Sequence, residues 1–118
     1  MSRTETRQQM IRERTYTDGV HCDLCRQLIH GLPQMHELIP RRLTIGSDEA
    51  RELSFQPELC AILCADCHSI AEREENETRL WERNYQRYGK ERVLQAFERL
   101  WNLWPVKVTL PEVNDDRV

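Results

Sequence analysis

Four cysteines in two Cys-x-x-Cys pairs constrain this 118-residue chain more than any other feature. The first pair is Cys22 and Cys25, and the second, Cys64 and Cys67, follows several tens of residues later. Four thiolates with this spacing are typical of a tetrahedral structural zinc site. Structural zinc contributes about 10 to 16 kcal/mol in zinc-finger peptides, which is comparable to the whole stability of a small domain. We therefore predict a zinc-held module in which the metal ties off the segment between the pairs.

The alternative use of these four cysteines is in two disulfides or as buried free thiols. Nothing in the sequence indicates secretion, and paired Cys-x-x-Cys motifs in a cytosolic chain usually bind metal. The polar, arginine-rich start has no apolar run typical of a signal peptide, and no stretch approaches a membrane span. We therefore predict a cytoplasmic protein with no membrane partner. The fifth cysteine, Cys60, is predicted to be a buried free thiol, or a competing zinc ligand if Cys64 points away.

Composition limits both the size of the core and the kind of partner. Charged residues make up 31% of the chain and apolar residues 39%, so the core of this one domain must be modest. The net charge of −3 argues against a protein that coats nucleic acid through bulk charge. A local basic patch remains compatible with it.

The predicted α+β chain has three parts, of which residues 1–18 form an N-terminal helical arm. Ser2 and Glu5 form a capping-box pattern for a helix over residues 2–15. Arginines outnumber acids in this helix. It is therefore either a solvated helix or a basic arm that follows a phosphate backbone, through Arg3, Arg7, Arg12 and Arg14.

Residues 19–75 form the predicted zinc-bound module. A hairpin over residues 20–29 carries the first cysteine pair in its turn, and a short strand follows over 34–39. The variable loop from 40 to 57 contains one or two helical turns behind a Ser47 cap. The apolar run 59–63 leads into the second pair, after which a helix is predicted over 65–75.

Residues 76–118 form a predicted two-helix extension with a short tail that carries Glu112, Asp115 and Asp116. Asn76 caps the first helix, Gly89 ends it, and Pro105 stops the second. An apolar stripe predicts packing against the module or across a homodimer or protein partner, rather than a base-stacking platform. The stripe consists of Val93, Phe97, Leu100, Trp101 and Trp104, with Trp81 on the first helix.

Three side chains could form a second metal site with an open position. His68 follows the last zinc cysteine, Glu72 lies one helical turn later, and His36 would come across from the preceding strand. Such a site suits Zn²⁺, Mn²⁺ or Ni²⁺ better than Mg²⁺, and an ion there would polarise a phosphoryl oxygen. The alternatives are a structural or zinc-ligating His68, a strand-edge His36 and a solvated Glu72.

The motif order resembles the HNH endonucleases, the ββα-metal group built on a treble-clef zinc fold, and particularly their small phage and prophage versions. The resemblance covers residues 20–75 and rests on Cys22-x-x-Cys25, His36-Glu37-Leu38-Ile39-Pro40 and Cys64-x-x-Cys67-His68. It implies a hairpin and a helix that grip one divalent ion, Mg²⁺, Mn²⁺, Ni²⁺ or Zn²⁺. It also implies DNA as the substrate and, for a phage-encoded protein, the host cytoplasm as the location.

The resemblance implies roles for individual residues. Alignment on Pro40 makes His36 a metal ligand and Glu37 the general base, whereas a shift by one residue makes His36 the base. His68 matches the helix histidine of the family, and Glu72 falls where many members carry a second one. The family's supporting asparagine has no counterpart, and the nearest groups are Leu59, Glu58 and Gln56.

Arg41 and Arg42 follow Pro40 directly and are predicted either to straddle a scissile phosphate or only to aid solubility. The predicted function is a metal-dependent DNA endonuclease or nickase of HNH type, a hydrolase of phosphodiester bonds. The alternative is a non-catalytic treble-clef zinc module that binds nucleic acid or a protein partner, such as a phage-encoded regulator.

Overall fold

Two small antiparallel sheets and five α-helices make up residues 1–112, the part of the chain that the computed structural model describes. Strand β1 (Thr15–Tyr16) pairs with β2 (Gly19–Val20), and β3 (Gln34–Glu37) pairs with β4 (Cys60–Leu63). The predicted α+β class is confirmed. Asp115 and Asp116 of the predicted tail lie outside the described residues.

The first helix, α1 (Arg3–Glu13), begins with the predicted capping box. The Ser2 hydroxyl accepts from the Glu5 backbone N–H at 3.1 Å, and the Ser2 N–H donates to the Glu5 carboxylate at 3.1 Å. The helix is not solvated all round, however, because Met10 is fully buried. Its apolar contact gives α1 a fixed place against the core.

The arginines of the predicted basic arm differ in their contacts and in their burial. Arg7 donates to the Pro33 carbonyl at 2.6 Å, and Arg3 donates to the Met35 carbonyl at 3.4 Å. Arg14 is fully buried, so its predicted place on a phosphate-facing arm is wrong. Only Arg12 keeps an exposed position without such a contact among the described residues.

The first cysteine pair lies in the turn of a hairpin, as predicted. His21 bridges to Leu28, and the Cys22 N–H donates to the Gln27 carbonyl at 3.0 Å. Arg26 closes the turn with a φ of 63°, a left-handed conformation that is uncommon for residues other than glycine. We call residues 20–29 the zinc hairpin.

The second cysteine pair lies between β4 and a short helix, α3 (Ala65–Ile70), which is capped by Cys64. The predicted helix over 65–75 is wrong, because α3 ends at Ile70 and α4 (Glu74–Tyr88) begins after a turn. Asn76 lies inside α4 and is not its cap. Its side-chain amide donates to the Ile70 carbonyl at 2.9 Å, which satisfies a free carbonyl at the end of α3.

The last helix, α5 (Lys90–Leu103), follows Gly89 and ends before Pro105, as predicted. It packs on α4, on α2 (Asp48–Leu53) and on the 3-10 helix Pro57–Leu59, which α4 also contacts. Trp81 is only 2% exposed and belongs to the core, whereas Trp101 is 49% exposed, so the module does not cover this part of the predicted stripe.

The predicted division of the chain into three parts is not tested by this structure. One hydrophobic core runs from the zinc hairpin through β4 to α4 and α5. None of the helices within residues 1–112 has both the length and the apolar character needed to cross a membrane.

Candidate metal centre and histidine face

The two cysteine pairs meet at one point. The sulfur atoms of Cys22, Cys25, Cys64 and Cys67 all lie within 4.8 Å of one another. Sulfurs bound tetrahedrally at about 2.3 Å from zinc lie about 3.8 Å apart, so a small contraction completes such a site. No disulfide joins any of the five cysteines, and it is the meeting of the four sulfurs that agrees with the metal-binding prediction. These four cysteines could therefore hold a metal ion such as zinc.

The local fold aims the cysteine sulfurs. Backbone N–H groups of Leu24 and Cys67 each donate to a cysteine sulfur, Cys22 and Cys64 respectively, at 3.4 Å. Burial and the neighbouring thiols raise the pKa of the Cys67 thiol. Four cysteine sulfurs in this arrangement are a donor set that fits a divalent metal such as zinc.

Cys60 takes no part in this group. It is fully buried on β4, and its thiol donates to the Ser54 carbonyl at 3.5 Å. Burial raises the pKa of the Cys60 thiol, so it stays protonated. The predicted buried free thiol is confirmed.

Asp23 fixes the zinc hairpin against β4. Its backbone N–H donates to the Ile62 carbonyl, and its carboxylate accepts from the Ile62 N–H, both at 2.8 Å. Arg14 Nε lies 2.8 Å from both carboxylate oxygens of Asp23. This buried ion pair therefore ties α1, the zinc hairpin and β4 together beside the four cysteines.

Two imidazoles meet between β3 and α3. The ring centroids of His36 and His68 lie 5.5 Å apart with the rings tilted by 70°. Gln34 and His36 share a face of β3 because side chains alternate along a strand. The His68 Nδ1–H donates to the side-chain oxygen of Gln34, which leaves His68 Nε2 with its lone pair.

His36 presents a buried nitrogen that has no partner. The residue is 7% exposed, and its Nε2 makes no hydrogen bond to any described residue. Burial, reinforced by nearby His68, lowers the pKa of His36 to about 4, so the imidazole is neutral at pH 7. His36 is therefore a neutral imidazole with one buried ring nitrogen that no described residue satisfies.

Glu72 was predicted to share a helix face with His68, and this prediction is wrong. It lies in the turn between α3 and α4, from where its charge acts on His36 and on Glu77. Within residues 1–112, the four cysteines are the only group of three or more potential ligands whose atoms lie within 4.8 Å of one another. The predicted three-ligand set of His36, His68 and Glu72 is therefore not assembled in this structure.

Glu37 points away from the histidine pair. Its carboxylate accepts from both terminal nitrogens of Arg51 on α2, at 2.6 and 3.1 Å. The strand alternation that turns His36 toward α3 turns its neighbour the other way. The predicted general base is thus held in a bidentate ion pair, a partner that sequence reasoning missed.

The remaining predicted groups are divided between two sides of the molecule. Arg41 and Arg42 are exposed on a 3-10 helix, and the charge of Arg42 acts on Glu77. The polar groups nearest the missing asparagine face α5, because Glu58 pairs with Arg92 at 2.7 Å and Gln56 accepts from Arg99 at 2.6 Å. Neither supports the histidine pair.

Sequence reasoning also missed two polar neighbours of this face, Gln34 and Glu77. Gln34 carries a usable signal, because a residue two positions before His36 on a strand shares its face. Glu77 carries none, since its position depends on where α4 starts. We call His36, His68, Gln34, Glu72 and Glu77 the histidine face.

The chain matches none of the protein-family models, curated proteins or solved structures with which it was compared. Its function must therefore be inferred from its own residues. These give a four-cysteine group that could hold a metal ion and, separately, a pair of imidazoles with carboxylates nearby.

Proposed function

We propose that this protein is a metal-dependent DNA endonuclease or nickase of HNH type, built on a treble-clef zinc module. The observation that carries the proposal is the buried, unpartnered Nε2 of His36 beside the ring of His68. A buried polar atom without a partner is costly and rare in folded proteins. A divalent ion on the histidine face would give this nitrogen a partner.

The chemistry of the donor set fits such an ion. His68 bonds through Nδ1 to Gln34, and this kind of outer hydrogen bond is typical of metal-ligating histidines. Two imidazoles with a carboxylate nearby favour Zn²⁺, Mn²⁺ or Ni²⁺ over Mg²⁺. When bound, the ion would polarise a phosphoryl oxygen and stabilise the leaving alkoxide. His36 and His68 would hold it, and Glu72 would need only a change in its turn to join them.

The other side chains have defined roles in this proposal. Arg41 and Arg42 are exposed, the charge of Arg42 acts on Glu77 of the histidine face, and both arginines would contact the phosphates of the DNA strand. Glu37 could act as the general base only after release from Arg51. In the other alignment register His36 activates the water; its imidazole is neutral and can accept a proton, and its lowered pKa makes it a weaker base than an ordinary imidazole.

Cleavage of supercoiled plasmid tests the proposal. Protein that retains its structural zinc is assayed with added Mg²⁺, Mn²⁺, Ni²⁺ or Zn²⁺. We expect metal-dependent nicking that falls by about 100-fold or more in His68→Ala, because changes around metal ligands alone cost up to about that factor. His30→Ala is the matched control, since His30 is an exposed histidine away from this face.

Two outcomes of this assay separate the alternatives. Loss of nicking in Glu37→Gln, with zinc content and fold retained, would assign Glu37 as the base, whereas retained nicking would favour His36. No nicking with any metal, from folded protein that holds zinc, would contradict the enzyme proposal.

The second candidate function is a non-catalytic treble-clef zinc module that binds nucleic acid or a protein partner. The Glu37 to Arg51 ion pair favours it, because it occupies the predicted base. Leu94 and Trp101, seven residues apart on α5, are both exposed and suit the predicted homodimer or protein contact. Light scattering of the wild type and of Trp101→Ser would show whether this surface forms a homodimer.

A further inference from the structure

A cavity of about 760 Å³ opens between the zinc hairpin and α4. Its lining includes Tyr16 and Arg26 from the hairpin side, and Arg83, Gln86 and Arg87 from α4. The cavity shares no lining residue with the histidine face. The proposed catalytic site therefore does not account for the residues that line this cavity.

The lining of this cavity is basic, because its two acidic residues are already paired. Asp23 is held by buried Arg14 through both carboxylate oxygens, with Arg87 at 3.6 Å. Asp18 accepts from His21 at 2.8 Å. Arg83 donates to the Leu24 carbonyl at 3.4 Å and keeps further N–H donors, since a guanidinium has five.

Arg26 has a backbone conformation that is uncommon for an arginine. Its φ of 63° is the left-handed region that glycine adopts without penalty and other residues adopt at a cost of about 1 kcal/mol or more. Its side chain is exposed and lines the cavity. A strained backbone that carries a cation into a cavity suggests a use for that cation.

Tyr16 adds an aromatic surface to the same cavity. It is 57% exposed, and its ring meets that of His21 edge to face with centroids 5.0 Å apart. Arginines combined with an exposed aromatic ring are the means by which proteins bind single-stranded nucleic acid. The cations contact phosphates, and an unstacked base lies on the ring.

We propose that this cavity binds a single-stranded segment of nucleic acid, with its phosphates on Arg26, Arg83 and Arg87 and a base stacked on Tyr16. The choice of nucleic acid as the ligand rests on the proposed function. A single strand is favoured over a duplex because bases inside a duplex are already stacked on one another. The cavity would hold a strand at a point removed from the histidine face.

Fluorescence anisotropy with a labelled single-stranded oligonucleotide tests this site, in zinc-loaded protein without added divalent ions, so that cleavage cannot interfere. Arg26→Gly should weaken binding about tenfold and reduce the slope of log K against log salt by about 0.7, as expected for one lost phosphate contact on a single strand. Glycine suits the φ of 63°, so this variant should fold and keep its zinc. Arg83→Gln should behave in the same way.

Tyr16→Ala should weaken binding by about tenfold without changing the salt slope, because stacking releases no counterions. Lys107→Gln is the matched control, since it removes one exposed positive charge after α5, outside the cavity lining. It should alter affinity by less than about twofold, as expected for a distant, screened charge.

Arg26→Gly and Arg83→Gln variants that bind like Lys107→Gln would overturn the site. If the arginine variants lose affinity but Tyr16→Ala does not, and a duplex of the same sequence binds equally well, the single-strand assignment is overturned. The outcomes that would contradict the nuclease proposal are different from those that would contradict this site. A protein that cleaves no plasmid yet shows these losses would retain the strand-binding cavity, and a protein that cleaves normally with unchanged affinities would lose only this inference.

Discussion

Replacing Cys64 with serine should leave the four-cysteine group unable to hold a metal ion and the protein unfolded at 25 °C. The sulfurs of the four-cysteine group lie within 4.8 Å of one another, so the loss of one removes a corner of the site and the cap of α3. Metal binding contributes about 10 to 16 kcal/mol in zinc-finger peptides, whereas whole small domains are stable by about 5 to 15 kcal/mol. Zinc per chain by atomic absorption and unfolding by circular dichroism measure the two effects.

Cys60→Ala is the matched control for Cys64→Ser. Cys60 is buried and free, and it lies outside the four-cysteine group. We expect this variant to keep a full complement of zinc and to lose only about 1 kcal/mol of unfolding free energy, as for the removal of a small buried group. A folded Cys64→Ser protein with wild-type zinc content would contradict the metal assignment.

Replacing Asp23 with alanine should cost about 3 to 5 kcal/mol of unfolding free energy, as expected when one partner of a buried ion pair is removed. Arg14 is fully buried; burial lowers the pKa of its guanidinium, but the charges and hydrogen bonds of Asp23 and Tyr88 together raise it. The variant leaves that buried cation with only the more exposed carboxylate of Glu13, at 3.8 Å, and also frees the Ile62 N–H. Urea unfolding of zinc-loaded protein measures the loss.

Two further variants isolate the buried charge as the cause. Asp18→Ala removes an exposed aspartate from the neighbouring turn and should cost less than about 1 kcal/mol, as exposed ion pairs do. The double variant Asp23→Ala with Arg14→Met should recover part of the loss, because no buried charge remains. An Asp23→Ala protein as stable as Asp18→Ala would show that the ion pair does not hold the zinc hairpin in place.

The parts of the fold that sequence predicts correctly depend on local signals. The paired cysteines, the capping box at Ser2, the Ser47 cap and the stop at Gly89 each depend on residues a few positions apart. Their backbone geometry follows from those residues alone. The hairpin around Cys22 belongs to the same class, because its turn is short.

The parts that sequence misses depend on contacts between distant segments. In the sequence, Arg14 cannot be told from the other arginines of the N-terminal helix. Only the fold brings Asp23 of the zinc hairpin to it. The helix predicted over 65–75 ends early because Asn76 folds back on the Ile70 carbonyl, which moves Glu72 into a turn. Trp101 fits the apolar stripe by spacing, but neighbouring segments do not cover it.

In the candidate site, too, sequence predicts some placements correctly and misses those that depend on contacts between distant segments. Sequence brings His36 and His68 together correctly, because a strand and the helix after the second cysteine pair must both lie near the metal group. The orientation of Glu37 is not predictable in this way, since it depends on where α2 places Arg51. The role of Glu37 as a general base therefore stays a prediction. The structure shows only that its carboxylate is turned toward Arg51.

The most direct test of the central claim is calorimetric titration of zinc-loaded protein with Ni²⁺, without DNA. If His36 Nε2 and His68 hold a divalent ion, the wild type and His30→Ala should each bind one further ion at neutral pH, and His68→Ala should bind none with comparable affinity. Zinc content measured before and after the titration separates the two metal sites. A wild type that binds no further ion, or a His68→Ala protein that binds it as tightly, would contradict the proposed catalytic site.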